Sequence, residues 1–281
     1  MNLYEVITDK IVKALEQGTV PWRKPWKTTA PKNAVTKKLY RGINVLLLGM
    51  GQYGSPHWAT FRQIASMGGS VKKGEHGTLV VYSSRFKVQD RKTGEEKELP
   101  FLKQYSVFNL EQTNGIELPD ERSANPVMPI GRCEKIVGSM PKPPSIALDG
   151  GSRAFYRPIT DSVSLPLQRC FESAEEYYST LFHELVHSTG HSSRLARKGV
   201  AEAVNFGSDT YGNEELIAEI GAAFLCGQAG IDCKTLDNSA AYVAGWLKTI
   251  RADKKIVVIA AAQAQKAVDY ISSNPTTSAE S

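Results

Sequence analysis

The stretch TLFHELVHSTGH, residues 180–191, constrains the fold of this chain more than any other. It contains the pattern His-Glu-x-x-His. On a helix, His183 and His187 would lie one turn apart and project from the same face, which suits two ligands of a tetrahedral zinc ion. Glu184 follows the first histidine directly, in the position of a general base for a metal-bound water.

The surrounding sequence favours a helix at this place. Ser173 followed three residues later by Glu176 predicts a capping box, apolar residues recur at 181, 185 and 186, and Gly190 follows the second histidine. A pattern with three fixed positions also occurs by chance on ordinary helices. A third ligand is therefore needed to distinguish a metal site from a coincidence.

The composition indicates a globular protein with more than one domain. The chain has 281 residues and a hydrophobic content of 41%. Its start has no basic segment followed by an apolar run, and no stretch approaches 18 apolar residues, so we expect neither a signal peptide nor a membrane span. The four cysteines form no Cys-x-x-Cys pair, which favours a reducing compartment, the cytoplasm.

Charge is distributed unevenly along the chain. Residues 1–125 contain 19 Lys and Arg against 12 Asp and Glu, whereas residues 126–281 contain 15 against 17. Within residues 1–62 alone the count is ten against three. A basic front half and a slightly acidic back half predict two modules with different partners.

A segment rich in Pro, Gly and Ser at residues 118–153 predicts the boundary between these modules. No long periodic helix is expected there. We predict an α+β protein with a front domain at 1–125, a linker at 126–145, a back domain at 146–271 and a disordered polar tail at 272–281.

The front half combines aromatic rings with cations in a way that is typical of single-stranded nucleic-acid binding, because bases stack on rings while cations follow the phosphates. The candidate contacts are Trp22, Arg23, Lys24, Trp26, Lys27, Lys37, Lys38, Arg41, Lys72 and Lys73. The alternative is that the two tryptophans are core anchors and the lysines are merely solvated. Two apolar, β-branched segments, GTLVVYSSRFKV and KELPFLKQYSVFNLEQT, are predicted to be paired strands.

Several ordered motifs resemble one known family. PWRKPW, YRGINVLLL, WATFRQ, VKKGEHGTLVVY and VFNLEQT are similar to the N-terminal domain of the antirestriction protein family ArdC and related plasmid DNA primases. YYSTLFHELVHSTGHSSRL, EELIAEIGAAFLC and SAAYVAGWLKTIRADKK resemble the ArdC C-terminal metallopeptidase domain. The resemblance implies a front domain that binds single-stranded DNA, and a role in protecting incoming plasmid DNA from host restriction.

The third metal ligand is expected from YGNEELIAEIGAAFL, a second, amphipathic helix. In thermolysin-like enzymes such a helix provides a glutamate ligand, and a carboxylate one turn later orients a ligand histidine. That analogy implies that Glu215 is the metal ligand and that Glu219 orients a ligand histidine. Glu214 as the ligand, or an exchange of the roles of Glu215 and Glu219, stays open. His191 is two positions short of the metzincin pattern and is expected to be a surface or supporting residue.

These patterns predict a zinc-dependent peptidase tethered to a single-stranded-DNA-binding module, with Mn²⁺ as the alternative metal. Its expected partners are single-stranded DNA and an unidentified protein substrate, for which host restriction components are candidates. No association with a membrane is expected. SRAFYRPITDSVSLP predicts a strand that pairs with an extended peptide, and Tyr156, Asp161 or Tyr211 could polarise the peptide carbonyl. Two rival functions are a DNA-coating protein with an inert peptidase fold and a primase accessory.

Overall fold

The computed structural model describes residues 2–22, 30–51, 53–89, 96–118, 129–148, 153–201, 209–231, 233 and 240–273. Side chains are described within these ranges except at 83–89, 96–102, 129, 209–211 and 240–242. Among the described residues, no helix is both long enough and apolar enough to cross a lipid bilayer.

The front half of the chain mixes short helices with one long β-ribbon. Its elements are α1 (Leu3–Glu16), β1 (Lys32–Asn33), α2 (Ile43–Gly49), β2 (His57–Ala59), α3 (Phe61–Ser66), β3 (Ser70–Val71), β4 (Thr78–Gln89), β5 (Glu96–Asn109) and β6 (Thr113–Asn114). A 3₁₀ turn, Leu110–Gln112, joins β5 to β6.

The back half is mostly helical. Its elements are α4 (Pro129–Gly138), β7 (Ser145–Leu148), β8 (Phe155–Arg157), β9 (Ser162–Leu165), α5 (Ala174–Ser188), α6 (Lys198–Ala201), α7 (Asp209–Ala229), α8 (Ala240–Ala252) and α9 (Ile256–Ile271). The mixture of largely antiparallel sheets in front and packed helices behind confirms the predicted α+β class.

A four-stranded sheet with the order β1-β2-β5-β4 organises the front half. β1 and β2 are parallel, and the other two pairs are antiparallel. The predicted pairing of the two long strands is confirmed, with a register that runs from Thr78 opposite Val107 to Gln89 opposite Glu96. The charged tip predicted between them falls at residues 90–95, outside the described residues.

Helix α2 covers the free edge of β4. The side-chain amide of Asn44 donates to the Val81 carbonyl at 2.7 Å and accepts from the Val81 N–H at 2.7 Å, so it satisfies the outward-facing backbone groups of that residue as a neighbouring strand would. The helix starts after Gly42, whose φ of 56° lies in the left-handed region that glycine adopts readily. The strand edge is thereby protected by a side chain and not by a fifth strand.

Helix α1 belongs to the same apolar core as the back-half helices α8 and α9. The predicted amphipathic helix is confirmed, and the apolar residues of its buried face are Ile7, Ile11 and Leu15. Trp22 lies just beyond it at 1% exposure, with its ring edge-on to the Trp246 ring at a centroid distance of 5.8 Å. The prediction that Trp22 stacks on DNA bases is therefore wrong for this fold, because the ring already has a buried partner.

The segment predicted as a linker at 126–145 contains helix α4. Its Cys133 is fully buried in the common core, and its Glu134 accepts a hydrogen bond from the Tyr178 hydroxyl on α5. The sequence predicted no long periodic helix in this region, and the structure has a ten-residue helix that includes Pro and Gly residues and that tertiary packing stabilises. The predicted tail at 272–281 lies outside the described residues from 274 onward.

Helix α7 occupies the centre of the back half. Every residue from 214 to 227 is buried except Glu215, which is partly exposed. The prediction of an amphipathic helix is wrong here, because α4, α5, α8 and α9 all pack around it. Its polar residues therefore stand out as buried carboxylates in an apolar setting.

We predict that Trp22→Ala lowers the free energy of unfolding by roughly 3–5 kcal/mol, as for other large core rings, because it leaves a cavity beside Trp246. Denaturant unfolding of the full-length chain measures this. Trp22→Phe keeps a ring in the core and should retain most of the stability. Equal stability of Trp22→Ala and the unsubstituted chain would contradict the assignment of Trp22 to the core.

Candidate metal centre

Helix α5 presents the His-Glu-x-x-His pattern. Its first turn is capped by the Ser173 hydroxyl, which accepts from the Glu176 N–H at 3.2 Å, while the Glu176 carboxylate accepts from the Glu172 N–H at 2.7 Å. The cap prediction holds for Ser173, whereas the glutamate reaches one residue further back than a capping box requires. The predicted apolar residues at 181, 185 and 186 are buried, and this burial fixes the rotation of the helix about its axis.

The two histidines converge as the spacing predicts. The Nε2 atoms of His183 and His187 lie 3.1 Å apart, and their ring centroids are 4.7 Å apart. The two Nε2 atoms are therefore the nitrogen atoms that could bind a shared ion, and the Nδ1 atom of each ring lies on the opposite side of the ring.

Glu215 on α7 completes a group of three. Its two carboxylate oxygens lie 3.5 Å from His183 Nε2 and 3.5 Å from His187 Nε2, respectively. Two ligand atoms of a tetrahedral ion with bonds of about 2.0–2.2 Å lie roughly 3.3–3.6 Å apart. The distances among these three groups are close to that spacing, so the three side chains together form a candidate metal site for a zinc-class ion.

Close packing of α5 on α7 makes this convergence possible. A Cβ atom built on Gly221 would lie 2.8 Å from Val186 Cγ2, closer than real carbon atoms approach. Glycine at this position therefore allows the helix that carries both histidines to lie directly against the helix that carries Glu215.

The Nδ1 atom of each histidine faces a further carboxylate. Glu219 Oε1 lies 4.0 Å from His183 Nδ1, and Glu214 Oε1 lies 3.5 Å from His187 Nδ1. Carboxylates in such positions fix the tautomer and the ring orientation of a ligand histidine. The expected order, with Glu215 facing Nε2 and Glu219 behind His183, matches this geometry, and Glu214 acts on the other histidine.

Arg197 holds Glu214 in place. Its Nε donates to Glu214 Oε2 at 3.0 Å, its Nη1 donates to the Thr189 hydroxyl at 2.6 Å, and its Nη2 donates to the Val186 carbonyl at 2.7 Å. This buried arginine thus ties the end of α5 to α7. Sequence reasoning missed it, because an arginine in the segment after a helix gives no sign of burial.

The electrostatics of the cluster favour a bound cation. Glu184, Glu214 and Glu219 are buried and Glu215 nearly so, while Arg197 is a buried cation beside Glu214 alone. Burial by itself acts to lower the pKa of His187, but hydrogen bonds with Glu214 and Glu215 outweigh it and raise the pKa to about 10. The direction of this shift shows that the carboxylates around His187 favour positive charge at this position, and a divalent ion would supply such charge.

The pKa values of the partner groups agree with this charge balance. Burial also acts to lower the pKa of His183, but Glu215 raises it above its ordinary value. Burial acts to raise the pKa of Glu215, but the two histidines hold it well below the usual range for a carboxylic acid. Glu215 is therefore a carboxylate and available as a metal ligand.

A three-stranded sheet with the order β7-β9-β8 lies beside α5. The predicted strand before the active helix is present as two strands, and β8 is the antiparallel edge strand. Tyr156 on β8 donates to Asp161 at 2.8 Å, and the Arg194 guanidinium binds both of these side chains. Burial first, and the hydrogen bond to Asp161 second, raise the pKa of Tyr156 well above its ordinary value. The side chain of Tyr211 lies outside the described residues.

The predicted DNA contacts other than the buried Trp22 fall into three groups. Lys37, Lys38 and Lys73 are exposed, and the Lys72 ammonium donates to the Glu111 carbonyl at 2.7 Å. Arg41 is half-exposed and pairs with the buried Asp269 of α9. The remaining predicted contacts, Arg23, Lys24, Trp26 and Lys27, lie outside the described residues. His191 shares a hydrogen bond with the Ser193 hydroxyl at 2.8 Å, as expected for a residue outside the ligand set.

Comparison with known proteins gives a family match for each half of the chain. Residues 1–108 match the family described as the N-terminal domain of anti-restriction factor ArdC, and residues 143–263 match that of zincin-like metallopeptidases. The metal-free crystal structure of the antirestriction protein ArdC from plasmid R388 is 38% identical and superposes with a TM-score of 0.79, covering 98% of each chain. The chain belongs to the ArdC antirestriction family.

Other relatives extend this result. The Mn(II)-bound structure of R388 ArdC is 36% identical with a TM-score of 0.77, covering 99% of this chain and all of that one. The uncharacterized protein y4eC of Sinorhizobium fredii is 34% identical over 96% of this chain and 91% of its own length. The DNA primase TraC of Escherichia coli is 36% identical over 95% of this chain, which spans 27% of the primase's length. The domain boundaries at 125, 145 and 271 stay predictions.

We predict that Glu215→Ala weakens metal binding more than Glu219→Ala does. Loss of a carboxylate behind a ligand histidine typically costs 10–100-fold in affinity, and loss of a direct ligand costs more. Titration of Zn²⁺ or Mn²⁺ against a competing chelator measures both variants. Glu172→Ala, an exposed carboxylate just before α5, is the matched control and should leave affinity unchanged. An empty site in Glu219→Ala beside a filled site in Glu215→Ala would reverse the assignment.

Proposed function

We propose that this ArdC-family protein binds single-stranded DNA, carries a metal-dependent peptidase site, and protects incoming conjugative DNA from restriction in the cytoplasm of the recipient cell. The observation that carries the peptidase half is the convergence of His183, His187 and Glu215 beside the buried Glu184. The DNA half is supported by the match of residues 1–108 to the ArdC N-terminal domain and by the basic count of the front half.

In the proposed mechanism, His183, His187 and Glu215 would hold a zinc ion, with Mn²⁺ as the alternative, and a bound ion would supply Lewis acidity for peptide hydrolysis. Glu184 accepts the proton of the attacking water and then delivers it to the leaving amide nitrogen. Glu219 and Glu214, the latter fixed by Arg197, hold the imidazoles in one orientation through their Nδ1 atoms. The edge strand β8 contacts α5 and could pair with an extended substrate segment.

The network around Tyr156 supports a positioning role for this residue. Its hydroxyl is already engaged by Asp161 and Arg194, so it is less suited than a free hydroxyl to polarise a carbonyl. Arg194 also donates to the Ser188 and Lys142 carbonyls, and thereby fixes β8 relative to the end of α5. The proposed protein substrate, with host restriction components as candidates, would meet this edge.

We expect Glu184→Gln to abolish peptide hydrolysis while metal binding and single-stranded-DNA binding remain, because the change removes the base and no metal or DNA contact. Self-cleavage of the full-length protein, incubated with Zn²⁺ or Mn²⁺ with and without single-stranded DNA, is followed by mass spectrometry of the fragments. The same fragments from Glu184→Gln would mean that a contaminating protease makes them. Absence of cleavage by the unsubstituted protein on itself and on a mixed peptide library would favour the rival function, a DNA-coating protein with an inert site.

We expect the affinity for single-stranded DNA to fall steeply with salt, because each phosphate contact releases counterions and contributes about −0.7 to the log–log slope. Replacing both Lys37 and Lys38 by Ala should reduce the magnitude of the slope by roughly 1.4 on the same basis. Lys248→Ala, which removes an exposed cation from α8, is the matched control and should not change it. An unchanged slope in the double variant would remove the two lysines from the DNA-contacting set.

These measurements require the full-length chain. Helix α1 buries Ile7, Ile11 and Leu15 against α8 and α9, so a fragment that ends at residue 125 would expose this apolar face to water. Loss of DNA binding by such a fragment would report misfolding and not the location of the DNA site.

A further inference from the structure

The exclusion of Trp22 from DNA contact leaves open which aromatic rings could stack on bases. Among the described residues of the front half, two tyrosines on the β4–β5 ribbon are conspicuously exposed: Tyr82 at 41% and Tyr105 at 47%. Neither belongs to the basic cluster that the sequence pointed to. Large aromatic side chains on a protein surface are typical of binding sites, because their apolar faces gain free energy when they are covered.

The strand register places these rings on one face. Tyr105 lies opposite Val80, and Tyr82 lies opposite Lys103. Because alternate residues of a strand share a face, Val80 and Tyr82 project to the same side of the sheet as Lys103 and Tyr105. Tyr82 and Tyr105 are diagonal neighbours, which are typically about 7–8 Å apart. Since stacked bases lie about 3.4 Å apart along a strand, this separation leaves room for an unpaired base against each ring.

The inner end of the same face is anchored in a core. Val80 and Val107 are buried with Leu48 and Trp58, and Tyr40 packs against that cluster. The two exposed rings therefore extend outward from a fixed base and do not lie on a loose loop. A pre-organised surface loses little conformational entropy on binding.

Charge favours an anionic strand as the occupant. Lys103 is exposed directly across from Tyr82. Tyr40, at the anchored end, lies in the chain between the exposed Lys38 and Arg41, within the most basic stretch of the sequence. Aromatic faces that alternate with cations are the combination that binds single strands without regard to sequence.

We propose that Tyr82, Tyr105 and Lys103, named here the tyrosine platform, bind single-stranded DNA by stacking unpaired bases on the two rings while the lysine contacts phosphate. This proposal rests on the proposed DNA-binding function and assigns it a surface outside the tryptophan-rich segment. A duplex cannot use the platform in this way, because its bases are already stacked and paired.

The test measures binding of the full-length protein to an oligothymidylate by fluorescence anisotropy. Tyr82→Ala and Tyr105→Ala are each expected to weaken binding by about 5- to 150-fold, the range that base–aromatic stacking gives. Tyr82→Phe and Tyr105→Phe should bind as the unsubstituted protein does, because stacking needs the ring and not the hydroxyl. Phe61→Ala, an exposed ring on α3 outside the ribbon, is the matched control and should bind normally.

An abasic oligonucleotide of equal length and charge allows the loss of the bases to be compared with the loss of the tyrosine rings, as in a double-mutant cycle. It should bind the unsubstituted protein more weakly than the oligothymidylate does, and the tyrosine-to-alanine changes should cause no further loss on it. Lys103→Ala should lower the magnitude of the salt slope by about 0.7, whereas the tyrosine variants should leave the slope unchanged. Thermal unfolding of each variant should be close to that of the unsubstituted protein, because Tyr82 and Tyr105 are about half exposed and belong to neither core cluster of the ribbon.

The outcomes separate the two proposals. If the unsubstituted protein does not bind single-stranded DNA, the proposed function fails. If it binds but the alanine variants bind equally well, or if the alanine changes weaken abasic and normal strands alike, the tyrosine platform is overturned while the function stands. Loss of binding in the phenylalanine variants would also overturn stacking as the mode of contact.

Discussion

The contact between α5 and α7 is the constraint on which the candidate site depends. Only a residue without a Cβ atom lets Val186 lie against position 221, and this approach brings Glu215 within 3.5 Å of both histidine Nε2 atoms. His183, His187 and Glu215 can form a metal site together because α5 and α7, which are separate in the sequence, lie at a separation that suits the ligand spacing of a small metal ion.

Burial of the carboxyl groups makes the charge balance of this site important. Glu184, Glu214 and Glu219 are buried and Glu215 is nearly so, while Arg197 pairs with Glu214, so added positive charge would stabilise this cluster of carboxyl groups. Glu215 raises the pKa of His183, and Glu214 and Glu215 raise the pKa of His187, although burial acts to lower both. A metal ion held by the two Nε2 atoms would compete with protons for these positions, so metal binding and proton release would be coupled at this site.

Local patterns predicted the parts of the protein that local physics determines. The i, i+4 spacing of His183 and His187 fixes their common face, and the apolar, β-branched composition of the two segments is sufficient to predict the paired strands β4 and β5. The features that the sequence did not reveal, the burial of Trp22 and the ten-residue helix α4 within the segment 126–145, are those that long-range packing decides. Trp22 is buried by Trp246, more than 200 positions away, and α4 is held by α5 and α7. No property of either segment by itself reveals these partners.

Helix α9 is the element that joins the two halves. It packs against α7, α5 and α1, and it provides Asp269 to Arg41 and Gln265 to the Gly42 N–H at 3.0 Å. If DNA displaced Arg41 from Asp269, it would leave a buried carboxylate without its cation, which is among the costlier changes a protein can undergo. A guanidinium has five N–H donors and this one is half-exposed, so Arg41 can hold Asp269 and face a phosphate at the same time. Arg41 therefore fixes the junction between the front half of the chain and the half that carries the candidate metal site, and any phosphate contact is added to this role.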